Sequence, residues 1–192
     1  QANGLRQMDF SPVKAEGWYT LEVDGKKSRP FRIGRDAYIP AAWKTLNFFF
    51  SERCGFDVPG IHTECHMDVM SVHPDGRRLP VCGGWHDAGD LTQAAINTAE
   101  SVFAMLELAI AEREAQPELS QRAKEEARWG LNWLMRTRWG DGYRHNGTVI
   151  GFWSDNIQGT LDDINADSGN RPFDNFMIAG VCAKAIALFR DE

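Results

Sequence analysis

Apolar residues recur at helical spacing in four segments of the chain, and each pattern predicts a helix with one apolar face. The predicted helices run from about Ala37 to Cys54, from Asp90 or Leu91 through Ile110, from about Glu118 to Arg136, and from Asp174 through Ala187. Pro40 suits the first turn of the first helix, and Asp174 suits the N-cap of the last. The chain is therefore predicted to be mainly α, with a short β segment at the N-terminus.

That β segment lies within the first 35 residues. Trp18–Val23 is rich in strand-forming residues and is followed by Asp24-Gly25, a strong hairpin turn signal. Arg29–Ile33 can return as the second strand, and Pro30 confines it to a sheet edge. Because two strands form no stable sheet alone, we expect the last hairpin of a larger module or an edge that packs on the rest.

Two long stretches rich in glycine and polar residues, 55–90 and 140–172, separate the predicted helices. The pattern predicts loops for both. Loops of this length in a compact domain usually carry function, so the candidate chemistry is expected there.

The composition is that of an ordinary folded protein. The chain has 192 residues, a length typical of one domain or slightly more, and 43% of them are hydrophobic. A net charge of −6 and a pI near 5.4 disfavour binding to nucleic acid. No segment is predicted to span a membrane. Gln1–Phe10 lacks the basic and apolar regions of a signal peptide. The mature form of a secreted protein would lack them as well, so this observation does not indicate a location.

The first candidate site is the segment Gly83–Asp90, in which Asp87 and Asp90 lie three residues apart just before a predicted helix. If Asp90 caps that helix, the helix dipole favours its ionised form, which can accept a proton from water. Asp87 would then help to orient the same water. Paired carboxylates beside a sugar-binding cleft are what glycoside hydrolysis uses. The alternative is a helix cap beside a second surface aspartate.

A second candidate site contains Cys54, Cys65, His66 and His86, all in or beside the first long loop. Two thiolates and two imidazoles suit a closed, tetrahedral zinc site of structural type. The spacing is not that of a zinc finger, so two alternatives stay open. Cys65 could form a disulfide with Cys54 or Cys82 in a secreted protein, or the cysteines could be free and buried.

The second loop carries a cluster of acidic residues, namely Asp155, Asp162, Asp163 and Asp167. Hard oxygen ligands of this kind can hold Ca²⁺. The EF-hand spacing is missing, and a solvated acidic loop is the alternative interpretation. The chain is also rich in tryptophan, with seven residues that could pack a core or stack on sugar rings.

The segment Gly83–Asp90 resembles the active-site signature of glycoside hydrolase family 9, a cellulase family with an (α/α)6 barrel. Further motifs match in the same order: Arg53-Cys54-Gly55, Pro59-Gly60, Cys65-His66, Pro74-Asp75-Gly76-Arg77, Glu126–Leu131 and Gly140–Arg144. Gly17–Ile33 is similar to the last strands of the immunoglobulin-like module that often precedes this catalytic domain. The resemblance therefore covers nearly the whole chain.

The resemblance implies an inverting mechanism, in which Asp90 is the general base and Asp87 helps to hold the attacking water. Inversion also needs a general acid on the opposite face of the sugar, about 6.5–9.5 Å from the base. In the family this acid is a glutamate near the end of the catalytic domain, and we find no counterpart in this chain. The glutamates on the predicted helices, Glu100, Glu107, Glu112, Glu125 and Glu126, are interpreted as solvated.

The resemblance also implies cofactors and contacts with the substrate. Members of this subgroup bind structural zinc through two cysteines and two histidines, and the matching positions are Cys54, Cys65, His66 and His86. The family often binds calcium as well, without ligands that we can assign by resemblance. Trp85, Tyr143 and Trp153 are candidates for contact with the sugar, Trp85 also for support of the catalytic loop, and core packing is the alternative for each.

The expected organisation is an incomplete one. Residues 1–35 are predicted to be the end of an immunoglobulin-like β-sandwich, and 36–192 the N-terminal portion of the barrel. Four helices in 157 residues imply roughly 470 residues for twelve, so about a third of the barrel is expected.

The expected activity is hydrolysis of β-1,4-glucan, either cellulose or cello-oligosaccharides. One alternative is an exo-β-glucosaminidase acting on chitosan-type oligosaccharides, and another is an incomplete fragment that only binds sugar. Secretion or a periplasmic location follows from the resemblance alone.

Overall fold

A computed structural model describes residues 7–87 and 90–190. Part of the segment searched for a signal peptide, residues 1–6, lies outside the described residues, as do Ala88 and Gly89 of the signature. The chain divides into two compact units, the first ending at Lys44 and the second beginning at Thr45.

The first unit contains four short strands: β1 Gly17–Tyr19, β2 Glu22–Val23, β3 Lys26–Lys27 and β4 Phe31–Ile33. β1 pairs with β4 and β2 pairs with β3, both antiparallel. The predicted turn is confirmed, since Asp24 and Gly25 both have positive φ between β2 and β3. The Phe31 ring packs against Phe10 and Tyr19, with centroids 5.3 and 6.4 Å away.

The described part of the chain contains four helices: α1 Ile39–Ser51, α2 Ala95–Ala111, α3 Pro117–Arg136 and α4 Pro172–Phe189. α2 packs against both α3 and α4, and the side chains of Val102, Leu106 and Leu134 are fully buried. The mainly helical prediction is confirmed for these four segments. The expectation of one apolar face is wrong for α4, since Phe173, Phe176 and Ile186 are exposed while Ile178, Val181 and Ala185 are buried.

Two helix starts were predicted wrongly. α2 begins at Ala95 instead of Asp90 or Leu91, because Leu91 takes a left-handed φ of 57° and Gln93–Ala94 is extended. Asp174 does not cap α4. It lies in the first turn after Pro172, and its buried carboxylate accepts a hydrogen bond from the Asn146 side chain at 2.5 Å.

Sequence reasoning missed six strands: β5 Met70–Val72, β6 Arg78–Pro80, β7 Gln93–Ala94, β8 Arg144–His145, β9 Gly147–Thr148 and β10 Asn165–Gly169. All but β7 lie in the two predicted loops, and β7 lies in the segment predicted as the start of the second helix. Four of them form one sheet in the order β6-β5-β10-β8, with β5 and β10 parallel. β7 pairs with β9. These strands are two to five residues long, too short for a periodic signal. Apart from the β5–β6 pair, they pair with segments far away in the sequence. Val69, Val81, Leu91 and Ile150 form a small apolar core beside them.

Helix α4 is, by length and composition alone, apolar enough to cross a membrane. A core helix of a soluble protein passes the same test. The predicted absence of a membrane span is therefore not confirmed.

Candidate metal centre and catalytic loop

Cys54, Cys65, His66 and His86 come together in one buried cluster, with one donor atom from each within 4.8 Å of the others. The Cys54 Sγ lies 3.6 Å from Nδ1 of His66, and the Cys65 Sγ lies 3.6 Å from Nε2 of His86. The two ring nitrogens, His66 Nδ1 and His86 Nε2, are 3.3 Å apart. All four donors thus face a common point.

The backbone brings these residues together just after α1 ends. Arg53 and Trp85 form an antiparallel bridge. On one side of it the Cys54 N–H donates to the Gly84 carbonyl at 3.1 Å, and on the other the His86 N–H donates to the Glu52 carbonyl at 2.8 Å. The bridge places a cysteine and a histidine that are 32 positions apart in the sequence side by side.

The outward-facing nitrogen of each histidine lies near an oxygen. Nε2 of His66 lies 3.1 Å from the Phe152 carbonyl, and Nδ1 of His86 lies 4.0 Å from a carboxylate oxygen of Glu52. A carbonyl at the distance seen for His66 commonly holds the outer N–H of a metal-binding histidine and leaves the inner nitrogen free to ligate. The Glu52 carboxylate lies near His86 but beyond hydrogen-bond distance. The donor set and its surroundings therefore fit a tetrahedral zinc ion.

The two sulfurs of the cluster influence each other. A hydrogen bond between them raises the pKa of Cys54, with burial adding to the effect, and lowers the pKa of Cys65 despite burial. Burial lowers the pKa of His66, but its contacts with Cys65 and with the Phe152 carbonyl outweigh this effect and raise it. All four cysteines, which lie within the described ranges, are free thiols, so neither disulfide alternative is formed.

The candidate catalytic aspartates are both exposed, and they flank the undescribed pair Ala88–Gly89. The Asp87 N–H donates to the Thr92 carbonyl at 2.6 Å, and the Asn97 side chain donates to Asp87 Oδ1 at 2.9 Å. The expectation that Asp90 caps the following helix is wrong. α2 starts five residues later, and Asp90 Oδ1 instead accepts from the Thr92 N–H at 3.2 Å, closing a turn.

Two cavities have His86 in their lining. One, of about 110 Å³, is lined by Asp87, Trp85, Asn97 and neighbouring residues. The other, of about 190 Å³, has Trp153 and Glu52 in its wall. The candidate metal ligand His86 thus lines both the cavity beside the candidate catalytic loop and the cavity beside an exposed tryptophan.

Trp85 is only 4% exposed and lies in the core beneath the loop. Its ring packs edge-to-face on Phe49, at 5.1 Å between centroids. It also lies so close to α3 that a Cβ at Gly130 would come within 2.3 Å of the indole. Its place in the structure favours support of the catalytic loop.

Glu126 is a further residue that supports this loop. It is 0% exposed, and its carboxylate accepts hydrogen bonds from Trp85 Nε1 at 2.8 Å, from Arg53 at 3.0 and 2.8 Å, and from Arg122 at 2.8 Å. The interpretation of Glu126 as a solvated residue is therefore wrong. Its position three residues after Ala123, on the apolar face of α3, is the signal that could have found it.

The other two aromatic candidates lie apart from each other. Trp153 is 54% exposed and stacks on His66, with ring centroids 5.7 Å apart. Tyr143 packs edge-on against His73 and lines a cavity of about 400 Å³ between α3 and α4. The lining of that cavity includes neither Asp87 nor Trp153.

Only part of the acidic loop forms a cluster. Asp155 and Asp162 meet Asp68, which sequence reasoning did not select, and one carboxylate oxygen from each lies within 4.8 Å of the others. Asp163 instead accepts from the Gly159 N–H at 2.9 Å, and Asp167 lies exposed on β10.

The sequence profile of Glycosyl hydrolase family 9 matches residues 38–171, a range that contains the candidate metal ligands and both candidate catalytic aspartates. The chain belongs to glycosyl hydrolase family 9. The family resemblance of the signature segment is thereby confirmed.

Individual relatives agree with this assignment. Endoglucanase C of Cellulomonas fimi is 29% identical in a match that covers 70% of this chain and 16% of the relative. A cellodextrinase of Butyrivibrio fibrisolvens is 35% identical over 51% of this chain and 19% of its own length. Among solved structures, a metagenome-derived family 9 endoglucanase superposes with a TM-score of 0.69 at 27% identity, covering 96% of this chain and 38% of that one. This chain therefore spans less than a fifth of the length of the endoglucanase and less than a fifth of the length of the cellodextrinase.

Proposed function

We propose that the complete protein is an inverting glycoside hydrolase that cleaves β-1,4-glucan, either cellulose or cello-oligosaccharides. The observation that carries the proposal is the family 9 match across the loop of Asp87 and Asp90. The names of the two curated relatives, an endoglucanase and a cellodextrinase, support the substrate class.

In this proposal Asp90 is the general base and Asp87 is its partner. Asp90 takes a proton from water as the water oxygen attacks the anomeric carbon, and Asp87 holds that water in place. The exposure of both side chains and the cavity beside Asp87 support these roles. The leaving oxygen takes its proton from an acid on the opposite face of the sugar, which we place outside these 192 residues.

The Cys54, Cys65, His66 and His86 cluster is proposed to hold a structural zinc ion. The convergence of four buried donors and the carbonyl partner of His66 support it. Bound zinc would join the end of α1, the turn at Cys65 and the signature segment, and would thereby hold the loop of Asp87 in place.

Trp153 and Tyr143 are proposed to contact the sugar, and Trp85 to support the catalytic loop. Trp153 is 54% exposed and lines a cavity, and an indole in such a place can contact a sugar ring.

We further propose that residues 1–35 end an immunoglobulin-like module and that 36–192 form part of an (α/α)6 barrel. The antiparallel strands of the first unit and the four helices of the described chain support this organisation. A secreted or periplasmic location is proposed from the resemblance to the family.

Reducing-sugar release by the full-length protein tests the activity. We expect release from cello-oligosaccharides and carboxymethylcellulose, and near-complete loss of it in Asp90→Ala and in Asp87→Ala. Asp57→Ala, which also removes an exposed carboxylate, is the matched control and should keep normal turnover.

Chitosan oligosaccharides serve as the competing substrate in the same assay. Preferred release of glucosamine would replace the glucan proposal with the exo-β-glucosaminidase alternative. Activity on neither substrate would leave only sugar binding. The 192-residue chain assayed alone should not hydrolyse either substrate, and turnover by it would overturn the placement of the acid.

A further inference from the structure

Asn97 lies in the first turn of α2, and its side chain contacts Asp87 of the candidate catalytic loop. Its Nδ2 donates a hydrogen bond to Asp87 Oδ1 at 2.9 Å. Because an ionised carboxylate only accepts hydrogen bonds, the contact fixes which end of the amide faces Asp87. A hydrogen bond to a charged group is stronger than one between neutral groups, so this contact can hold the orientation of the Asp87 side chain.

The late start of α2 brings Asn97 and Asp87 together. Gln93–Ala94 is extended and pairs with β9, so the helix begins only at Ala95. The first turn of the helix then lies beside the loop, and Asn97 reaches a residue ten positions earlier in the sequence. The feature that removes Asp90 from the helix cap thus supplies Asp87 with a side-chain partner.

The backbone of Asp87 is held by a different residue from its side chain. The Asp87 N–H donates to the Thr92 carbonyl at 2.6 Å, and the Thr92 N–H donates to Asp90 Oδ1 at 3.2 Å. Within the described part of the chain, the only hydrogen bond to the Asp87 carboxylate comes from Asn97 and ends on Oδ1. Oδ2 is therefore the oxygen that can bind a water molecule.

Space for such a water lies beside both residues. Asp87 and Asn97 are exposed and line the same cavity of about 110 Å³. About 10–15 Å³ is enough for one water molecule, so the cavity has room for the attacking water and for others.

We propose that Asn97 is a positioning residue for the hydrolysis. It holds Oδ1 of Asp87 and thereby keeps the carboxylate from rotating, so that Oδ2 holds the attacking water in line for the reaction. Reaction rates fall steeply when a reacting group is displaced by even 1 Å, so a fixed carboxylate matters more here than binding strength. This inference rests on the proposed role of Asp87, and Asn97 acts through that residue without touching the sugar.

Steady-state kinetics of Asn97→Ala in the full-length protein, on cello-oligosaccharides, test the proposal. We expect kcat to fall by about tenfold to a hundredfold while KM changes by less than about twofold, because the misplaced water affects the transition state and leaves sugar binding intact. Asn47→Ala is the matched control, since it removes an exposed asparagine of α1, and it should keep normal kcat. Asn97→Ala should fold, because Asn97 is exposed and alanine favours a helix.

The Asp87→Ala background distinguishes positioning from a general structural effect. There, Asn97→Ala should lower the residual turnover by less than about twofold, because no carboxylate remains for Asn97 to hold. A structural defect would lower turnover by the same factor in both backgrounds.

The NMR signals of the Asn97 side-chain amide provide a readout that needs no activity. In ¹H–¹⁵N spectra we expect Asp87→Ala to shift these signals and to leave those of the Asn47 side chain unchanged.

Four outcomes would overturn the positioning role alone. They are normal kcat in Asn97→Ala, a higher KM in place of a lower kcat, an equal loss in the Asp87→Ala background, and unshifted Asn97 amide signals. Normal turnover in Asp87→Ala would instead refute the proposed catalytic role of Asp87, and the positioning role with it.

Discussion

The indole of Trp153 lies nearly parallel to the imidazole of His66, with the two planes inclined by 18° and the ring centroids 5.7 Å apart. The preceding residue, Phe152, is held by the same histidine, since its carbonyl lies 3.1 Å from His66 Nε2. A candidate sugar-contacting side chain therefore rests on a candidate metal ligand. If the cluster binds a metal ion, we expect the position of Trp153 to depend on that binding.

The optical signal of Trp153 should report zinc binding. Removing zinc frees the His66 ring, and we expect a change in tryptophan fluorescence and near-UV circular dichroism. Trp153→Phe should show a clearly smaller change. Trp18→Phe, which removes an exposed tryptophan of the first unit, should keep the full response. An equal response in Trp153→Phe would show that the stacked pair does not sense the metal.

Zinc content should depend on the cluster cysteines. Metal analysis of the purified protein is expected to find one zinc ion per chain, and Cys65→Ser should lose it. The unfolding temperature should fall with the metal, because structural zinc in small domains contributes about 10 kcal/mol or more at pH 7. Cys182→Ser, on α4, is the matched control and should retain the zinc. A disulfide between Cys54 and Cys65, detected by mass spectrometry without reduction, would contradict this prediction.

Glu126→Gln should destabilise the fold strongly. The carboxylate is fully buried and paired with Arg53 and Arg122, so the substitution leaves their guanidinium groups without its charge. We expect a loss of about 3 kcal/mol in the free energy of unfolding, measured by urea denaturation. The neighbouring Glu125 is exposed, and Glu125→Gln should change stability by less than about 0.5 kcal/mol. Equal effects of the two variants would refute the role of the buried carboxylate.

His145 should make the protein sensitive to acid. Burial, with a further contribution from Arg144, lowers the pKa of His145 to about 4 from a usual value of 6.5. Between about pH 4 and pH 6.5 the unfolded chain therefore binds a proton at His145 that the folded chain does not bind. The free energy of unfolding is unaffected by this histidine above pH 6.5, and it decreases as the pH falls from 6.5 to the folded pKa near 4. The loss amounts to about 3 kcal/mol.

An NMR titration of the histidine rings checks this directly. The His145 ring should stay neutral well below pH 6 for as long as the protein remains folded. Titration near pH 6.5 in the folded protein would contradict the prediction.

The residues of the candidate metal centre could be chosen from the sequence, because cysteine and histidine are the typical side-chain ligands of zinc. Their convergence was not predictable from spacing. It depends on the bridge between Arg53 and Trp85, which sets the end of α1 beside the signature segment. The same reasoning placed Asp90 at a helix cap, and this was wrong because Gln93–Ala94 pairs with β9 and delays the start of α2.

Local patterns in the sequence determined the four helices, the turn at Asp24-Gly25 and the residue types of the candidate sites, because periodicity and turn chemistry act between neighbours in the chain. The tertiary structure alone decided which carboxylates are buried. Glu126 pairs with Arg53, 73 positions away, and Asp68 meets Asp155 and Asp162 only because β5 pairs with β10. Whether an acidic side chain is solvated, paired with a cationic side chain or clustered with other carboxylates depends on which distant segments cover it. No local pattern contains that information.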